Sequence, residues 1–126
     1  MTGEQVLVVE DNEKNMKLFR DVLVATGFRT LEATTGTEAV DMASEHTPDL
    51  VLMDIQLPDL DGVEALRRLR ANERTATIPV LALTAQAMRG DRERFLDEGF
   101  DGYVSKPVNV RELIGIVREH CEGRVG

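Results

Sequence analysis

The feature that most constrains this chain is an alternation. Short apolar runs are each followed by an amphipathic segment of helical length, from one end to the other. Such an order marks repeated βα units around a parallel sheet. The runs are Gln5–Val9, Phe28–Ala33, Leu50–Met53, Pro79–Leu83 and Gly102–Ser105. Unbroken apolar runs suit central strands. The second run alternates and holds Arg29 and Glu32, and the last is short, so both suit edges. Right-handed crossovers then predict an α/β fold with one five-stranded parallel sheet in the order 2-1-3-4-5 and five helices on its two faces. The switch point of that order falls between the first and third strands.

The intervening segments carry helix signals. The first helix spans about Asn12 to Thr26, is closed by Gly27, and places Leu18, Phe19, Val22 and Leu23 on its apolar stripe. The second opens on Thr35–Glu38, a capping-box pattern, and ends before Pro48. The third, near Val63–Ala71, follows a turn holding Pro58, Asp59, Asp61 and Gly62. The fourth is weak, with Gly90 in its first half and sparse apolar residues (Met88, Phe95, Leu96). The fifth opens at Asn109, with Glu112 three residues on, and carries Leu113, Ile114 and Val117.

Four of the apolar runs end in residues suited to phosphoryl chemistry. Glu10 and Asp11 follow the first, Asp54 the third, Thr84 the fourth, and Lys106–Pro107 the fifth. Open α/β sheets bind ligands at the carboxyl edge of their strands, where these endings would meet. An acidic pair alone there is more often a turn or helix cap. Asp54 changes the balance, because a carboxylate ending a strongly apolar strand needs a partner or a ligand. Three converging acids call for a cation, and Mg²⁺ suits oxygen ligands that bridge to phosphate. Thr84 alone reads as a cap for the fourth helix, and Tyr103, the only tyrosine, as edge-strand packing. Lys106 reaches back toward the acids, where its ammonium would pair with Asp54, and the Lys106–Pro107 bond is a candidate cis peptide.

Composition bounds the rest. A chain of 126 residues, 42% hydrophobic and 30% charged, suits a single domain over residues 1–126. A formal net charge of −8 argues against a nucleic-acid face. The basic groups Arg67-Arg68-Leu-Arg70 and Arg89 to Arg94 read as solvated helix faces mixed with acids. The single cysteine, Cys121, excludes an internal disulfide and reads as a half-buried thiol in a reducing compartment. No run is long enough for a membrane span and no leader peptide is evident, so a cytoplasmic location is expected.

With these residues in place, the chain resembles the response-regulator receiver domain of two-component signalling. The motifs are Glu10-Asp11, Asp54 to Pro58 with Asp61-Gly62, Leu83-Thr84-Ala85, and Lys106-Pro107, matching in order and spacing from about Gln5 to Cys121. The resemblance implies that Asp54 is the phosphoacceptor. Asp11 would bind Mg²⁺ directly, Glu10 mainly through water, and the Gln56 backbone carbonyl would complete the protein ligands. Thr84 would be the switch hydroxyl, Lys106 the phosphate-pairing lysine and Tyr103 the rotating aromatic. The implied donor is a histidine kinase or a phosphotransfer protein, and the implied output is a changed helix 4–strand 5–helix 5 face offered to a downstream protein. No effector domain is expected after the fifth helix, which suits a monomer with possible phosphorylation-linked dimerisation. The run Val9–Phe19 is similar to that of stand-alone cell-division regulators in the family. Receivers of hybrid histidine kinases are the nearest alternative.

Rivals from other classes fit less well. A haloacid-dehalogenase-type phosphatase needs a second Asp two residues after its nucleophile, where this chain has Gln56. A flavodoxin-type site needs a hydroxyl- and glycine-rich loop in place of Glu10 and Asp11, and a dinucleotide site needs a glycine-rich fingerprint that is absent. Gln56 and Gln86 flank the expected site and would tune water access. On the first helix, Met16 falls at the edge of the apolar stripe, and with Asn15 it is a candidate docking point for a phosphodonor helix.

Overall fold

A computed structural model describes residues 3–85 and 91–122. The elements run β1 (Gln5–Val9), α1 (Glu13–Ala25), β2 (Arg29–Ala33), α2 (Gly36–His46), β3 (Leu50–Asp54), α3 (Gly62–Ala71), β4 (Val80–Thr84), α4 (Asp91–Glu98), β5 (Gly102–Ser105) and α5 (Val110–Glu122). All strand pairs are parallel, in the order β2-β1-β3-β4-β5. The expected topology is therefore found. Met88 and Gly90, which weakened the sequence signal of the fourth helix, and Gln86 lie outside the described residues.

The central strands β1, β3 and β4 bury both faces, which is why their sequences read as unbroken apolar runs. Alternate residues point to opposite faces and divide the core in two. Val6, Val8, Leu50, Leu52, Leu81 and Leu83 pack with Phe19 and Leu23 of α1 and Leu113, Val117 and Cys121 of α5. Leu7, Val9, Val51, Met53, Val80 and Ala82 pack with residues of α2, α3 and α4, among them Ala39, Ala43, Leu66 and Phe95.

Caps set the helix starts. Asn12 accepts from the Lys14 and Asn15 amides at α1, Asp61 from Glu64 at α3, and Asn109 from Glu112 at α5. At α2, Thr35 accepts from the Glu38 amide as expected, but the Glu38 carboxylate reaches the Thr34 amide at 2.7 Å, one residue earlier than a capping box requires. Thr47 closes α2 in the left-handed region, with φ 43°.

Three burial expectations need correction. Leu18 is 38% exposed, and Met16 takes its place in the α1 stripe with Phe19 and Leu23. At about 100° per residue, Met16 and Leu23 flank Phe19 on one side while Leu18 falls on the other. Met16 is thus a core residue in contact with the α1–α5 layer rather than an open docking surface. Cys121 is fully buried, because α5 lays it beside Leu113 and Val117. Arg70 is not solvated like Arg67 and Arg68. Its guanidinium donates to the Ala76, Ile78 and Gly99 carbonyls and to Asp101.

Candidate phosphoacceptor site

Register brings the strand endings together. Val9 lies opposite Met53, Asp54 opposite Leu83, and Thr84 opposite Ser105. Glu10, Asp54, Thr84 and Lys106 therefore meet at the carboxyl edge of the sheet. They line a cleft of about 230 Å³ with Asp11, Asn12, Asn15, Ile55, Gln56 and Ala85.

Each side chain is held by its own strand ending. The Glu10 amide donates to the Ala33 carbonyl, and Glu10 Oε2 accepts from the Asn12 amide, the residue that caps α1. Asp54 is 5% exposed, and its Oδ1 accepts from the Gln56 amide at 2.8 Å. The Lys106 amide donates to the Thr84 carbonyl, and the Lys106–Pro107 bond is cis, as the sequence suggested it could be.

The Lys106 ammonium lies 2.8 Å from Asp54 Oδ2 and 2.6 Å from Glu10 Oε1. The pairing with Asp54 was expected from the sequence; the pairing with Glu10 was not. Glu10 is only 1% exposed, so it needs this cation. Burial, aided by the Asp54 charge, pushes the Glu10 carboxyl above its usual range despite the hydrogen bonds from Lys106 and the Asn12 amide. Burial acts against the Lys106 charge as well, but the hydrogen bonds to Asp54 and Glu10 outweigh it and raise its pKa.

Asp11 differs from these two acids, because it is exposed at the mouth of the cleft. Glu10, Asp11 and Asp54 each present a carboxylate oxygen within 4.8 Å of the others. Three hard anionic oxygens with one lysine are short of positive charge, and the donor set fits a divalent cation such as Mg²⁺. Thr84 is buried at the end of β4, beside the cleft. Tyr103 is half-buried on β5, its ring 5.8 Å from that of Phe95. It lines a separate groove against α5 with Glu112, Ile116 and Glu119.

Sequence reasoning passed over Asp59, reading it only as a turn residue. It lies in the turn between β3 and α3, and its carboxylate accepts from the amides of Gly36, Thr37 and Leu60 and from the Thr37 hydroxyl. No pattern local to Asp59 signals partners more than 20 residues away.

Fold and cleft together define a class, and the chain belongs to the response regulator receiver domain family, which it matches over residues 6–118. Within two-component signalling it is DivK-like. It is 48% identical over 117 residues to the polar-differentiation response regulator DivK of Brucella ovis, covering 93% of this chain and 95% of that protein. Among solved structures it is similar to the receiver domain of sensor histidine kinase PA1611 from Pseudomonas aeruginosa, at 38% identity and a TM-score of 0.88. That match covers 96% of this chain and 99% of the other, which holds a magnesium ion coordinated in its active site cleft. A putative response regulator from Chloroflexus aurantiacus matches with a TM-score of 0.89 at 28% identity, covering 96% of this chain and 99% of its own.

Proposed function

We propose that the chain is a DivK-like response regulator receiver that takes a phosphoryl group onto Asp54 from a histidine kinase or a phosphotransfer protein. The observation that carries this reading is the cleft itself. A buried carboxylate at a strand end is ion-paired to Lys106, faces a cluster of acids, and has Thr84 on the next strand. Identity of 48% to DivK, against 38% to the receiver domain of sensor histidine kinase PA1611, supports a DivK-like receiver. Among the described residues no helix is long and apolar enough to cross a membrane, which accords with action in the cytoplasm.

The chemistry follows from the groups present. Ion-paired to Lys106, the Asp54 carboxylate needs no base to become a nucleophile. Its oxygen forms a bond to phosphorus as the donor's phosphorus–nitrogen bond breaks, and the electron pair leaves with the imidazole. The difficulty is charge, since an anion attacks an anion. Mg²⁺ bound at Asp11, Asp54, the Gln56 carbonyl and, through water, Glu10 would supply positive charge at the phosphoryl oxygens. Lys106 turns from the carboxylates toward those oxygens, and Thr84 donates its hydroxyl to them. Pulled inward, Thr84 leaves space into which Tyr103 turns. The α4–β5–α5 face then changes, biasing a two-state switch read by a downstream protein.

Labelling with acetyl phosphate, with and without Mg²⁺, followed by mass spectrometry tests the assignment. The modification is expected on Asp54, dependent on Mg²⁺, and absent from Asp54→Asn. Equal labelling of that variant, or strong labelling elsewhere in the wild type, would overturn it.

A further inference from the structure

The turn between β3 and α3 carries the Gln56 carbonyl and is fastened at three points. At its start, the Gln56 amide donates to Asp54 Oδ1. At its end, the Gly62 amide donates to the Ile55 carbonyl at 3.1 Å. In its middle, Asp59 reaches across to the first residues of α2. Its Oδ1 accepts from the Gly36 amide at 2.7 Å and from its own neighbour Leu60 at 2.8 Å, while Oδ2 accepts from the Thr37 amide at 3.0 Å and from the Thr37 hydroxyl.

Packing closes the same contact. A Cβ on Gly36 would stand 2.8 Å from Leu60 Cβ, so α2 and the turn meet with no room for a side chain. The start of α2 is a firm anchor, because Ala39 and Ala43 are buried in the core one and two turns further along. Capping alone does not explain Asp59, since Thr35 already caps this helix. The exposed carboxylate takes no part in the phosphoryl chemistry either.

We infer that Asp59 is a positioning residue for the cation site: by latching the β3–α3 turn to the start of α2, it holds the Gln56 carbonyl beside Asp54 and Asp11. The inference rests on the cation reading of the cleft given above. It adds a residue outside the cleft, on which the cleft's affinity for the ion depends. Partners that orient metal ligands govern affinity without touching the metal.

The test compares wild type, Asp59→Ala, Asp59→Asn and Thr35→Ala in the full chain. Mg²⁺ alone is titrated against the backbone amide NMR shifts of Asp11, Asp54 and Gln56. The Mg²⁺ dependence of acetyl-phosphate labelling and the thermal midpoint without metal are measured in parallel. Asp59→Ala is expected to raise the Mg²⁺ half-saturation roughly tenfold in both titrations, at the low end for outer partners of metal ligands, while labelling of Asp54 at saturating Mg²⁺ persists. Asp59→Asn keeps an acceptor for Gly36 and Leu60 and can donate to the Thr37 hydroxyl but loses the bond from the Thr37 amide, so it is expected to fall between. Thr35→Ala weakens the same helix end without touching the turn. It is expected to lower the thermal midpoint and leave the half-saturation unchanged. Wild-type half-saturation in both Asp59 variants, or an equal shift in Thr35→Ala, would reduce Asp59 to a second cap and overturn the inference. A wild-type chain that binds no Mg²⁺ would overturn the cation reading itself, and the latch with it.

Discussion

Asp59 and Lys106 show how differently two charged side chains respond to their surroundings. Lys106 is half-buried between carboxylates, whereas Asp59 is exposed, and hydrogen bonds from the Thr37 hydroxyl and from three backbone amides hold its carboxyl well below the usual carboxylate range. A folded-state pKa lowered in this way contributes stability that is fully present above the unfolded value of about 3.9. That contribution is lost as pH falls toward the folded value. Asp59→Asn is therefore expected to melt below wild type at neutral pH, with the gap narrowing under acid and shrinking in high salt, since the site is exposed. A gap that stays constant down to about pH 3 would show that the charged form is not what the latch holds. The strand-ending residues Glu10, Asp54, Thr84 and Lys106 were legible in the sequence because each follows an apolar run that fixes where it lies. Asp59 was not, because its partners in α2 come close only when two crossovers are built.

Helix starts carry information at the next scale up. Gly62 opens α3 directly beneath the strand that ends in Asp54. A Cβ there would stand 2.7 Å from Ile55 Cα and 2.8 Å from the Asp54 carbonyl oxygen, and both neighbours are backbone atoms that cannot swing aside. Gly62→Ala is expected to cost about 1–3 kcal/mol, the usual range for forcing extra volume into a packed site, and to slow labelling of Asp54 by shifting the chain that follows it. Urea unfolding and acetyl-phosphate kinetics on the same variant check both effects. The sequence showed the strands and the starts of α1, α2, α3 and α5 within a few residues, because period-two and helical patterns are local, but set no bounds for the weakly patterned α4. Where it failed, a neighbour decided. Leu18 and Met16 are similar in hydrophobicity, and only the direction in which α1 crosses the sheet buries one and exposes the other. Cys121 likewise became core through the docking of α5.

Across the whole molecule, the two edges of the sheet do different work. The carboxyl edge gathers charge for chemistry, while the opposite edge is tied for stability. There Arg70 at the end of α3 binds the Ile78 carbonyl at 2.7 Å and Asp101 at 3.0 Å, and Asp101 in turn accepts from the Val80 amide. Arg70→Ala is expected to lower unfolding stability by about 2 kcal/mol, the scale for charge-assisted hydrogen bonds, with Asp54 labelling unchanged wherever the chain is still folded. A loss of labelling in the folded variant would mean the two edges communicate. The cleft itself has a consequence for the life of the molecule. Its residues lie at or just beyond the ends of β1, β3, β4 and β5, separated in sequence by the whole span from Glu10 to Lys106. No fragment missing one of those strands brings them together, so a nascent or damaged chain is mute: its acids are ordinary carboxylates in water, unable to receive a message. In urea, acetyl-phosphate labelling and far-ultraviolet dichroism are then expected to vanish over one transition, which makes competence to signal a certificate of complete folding.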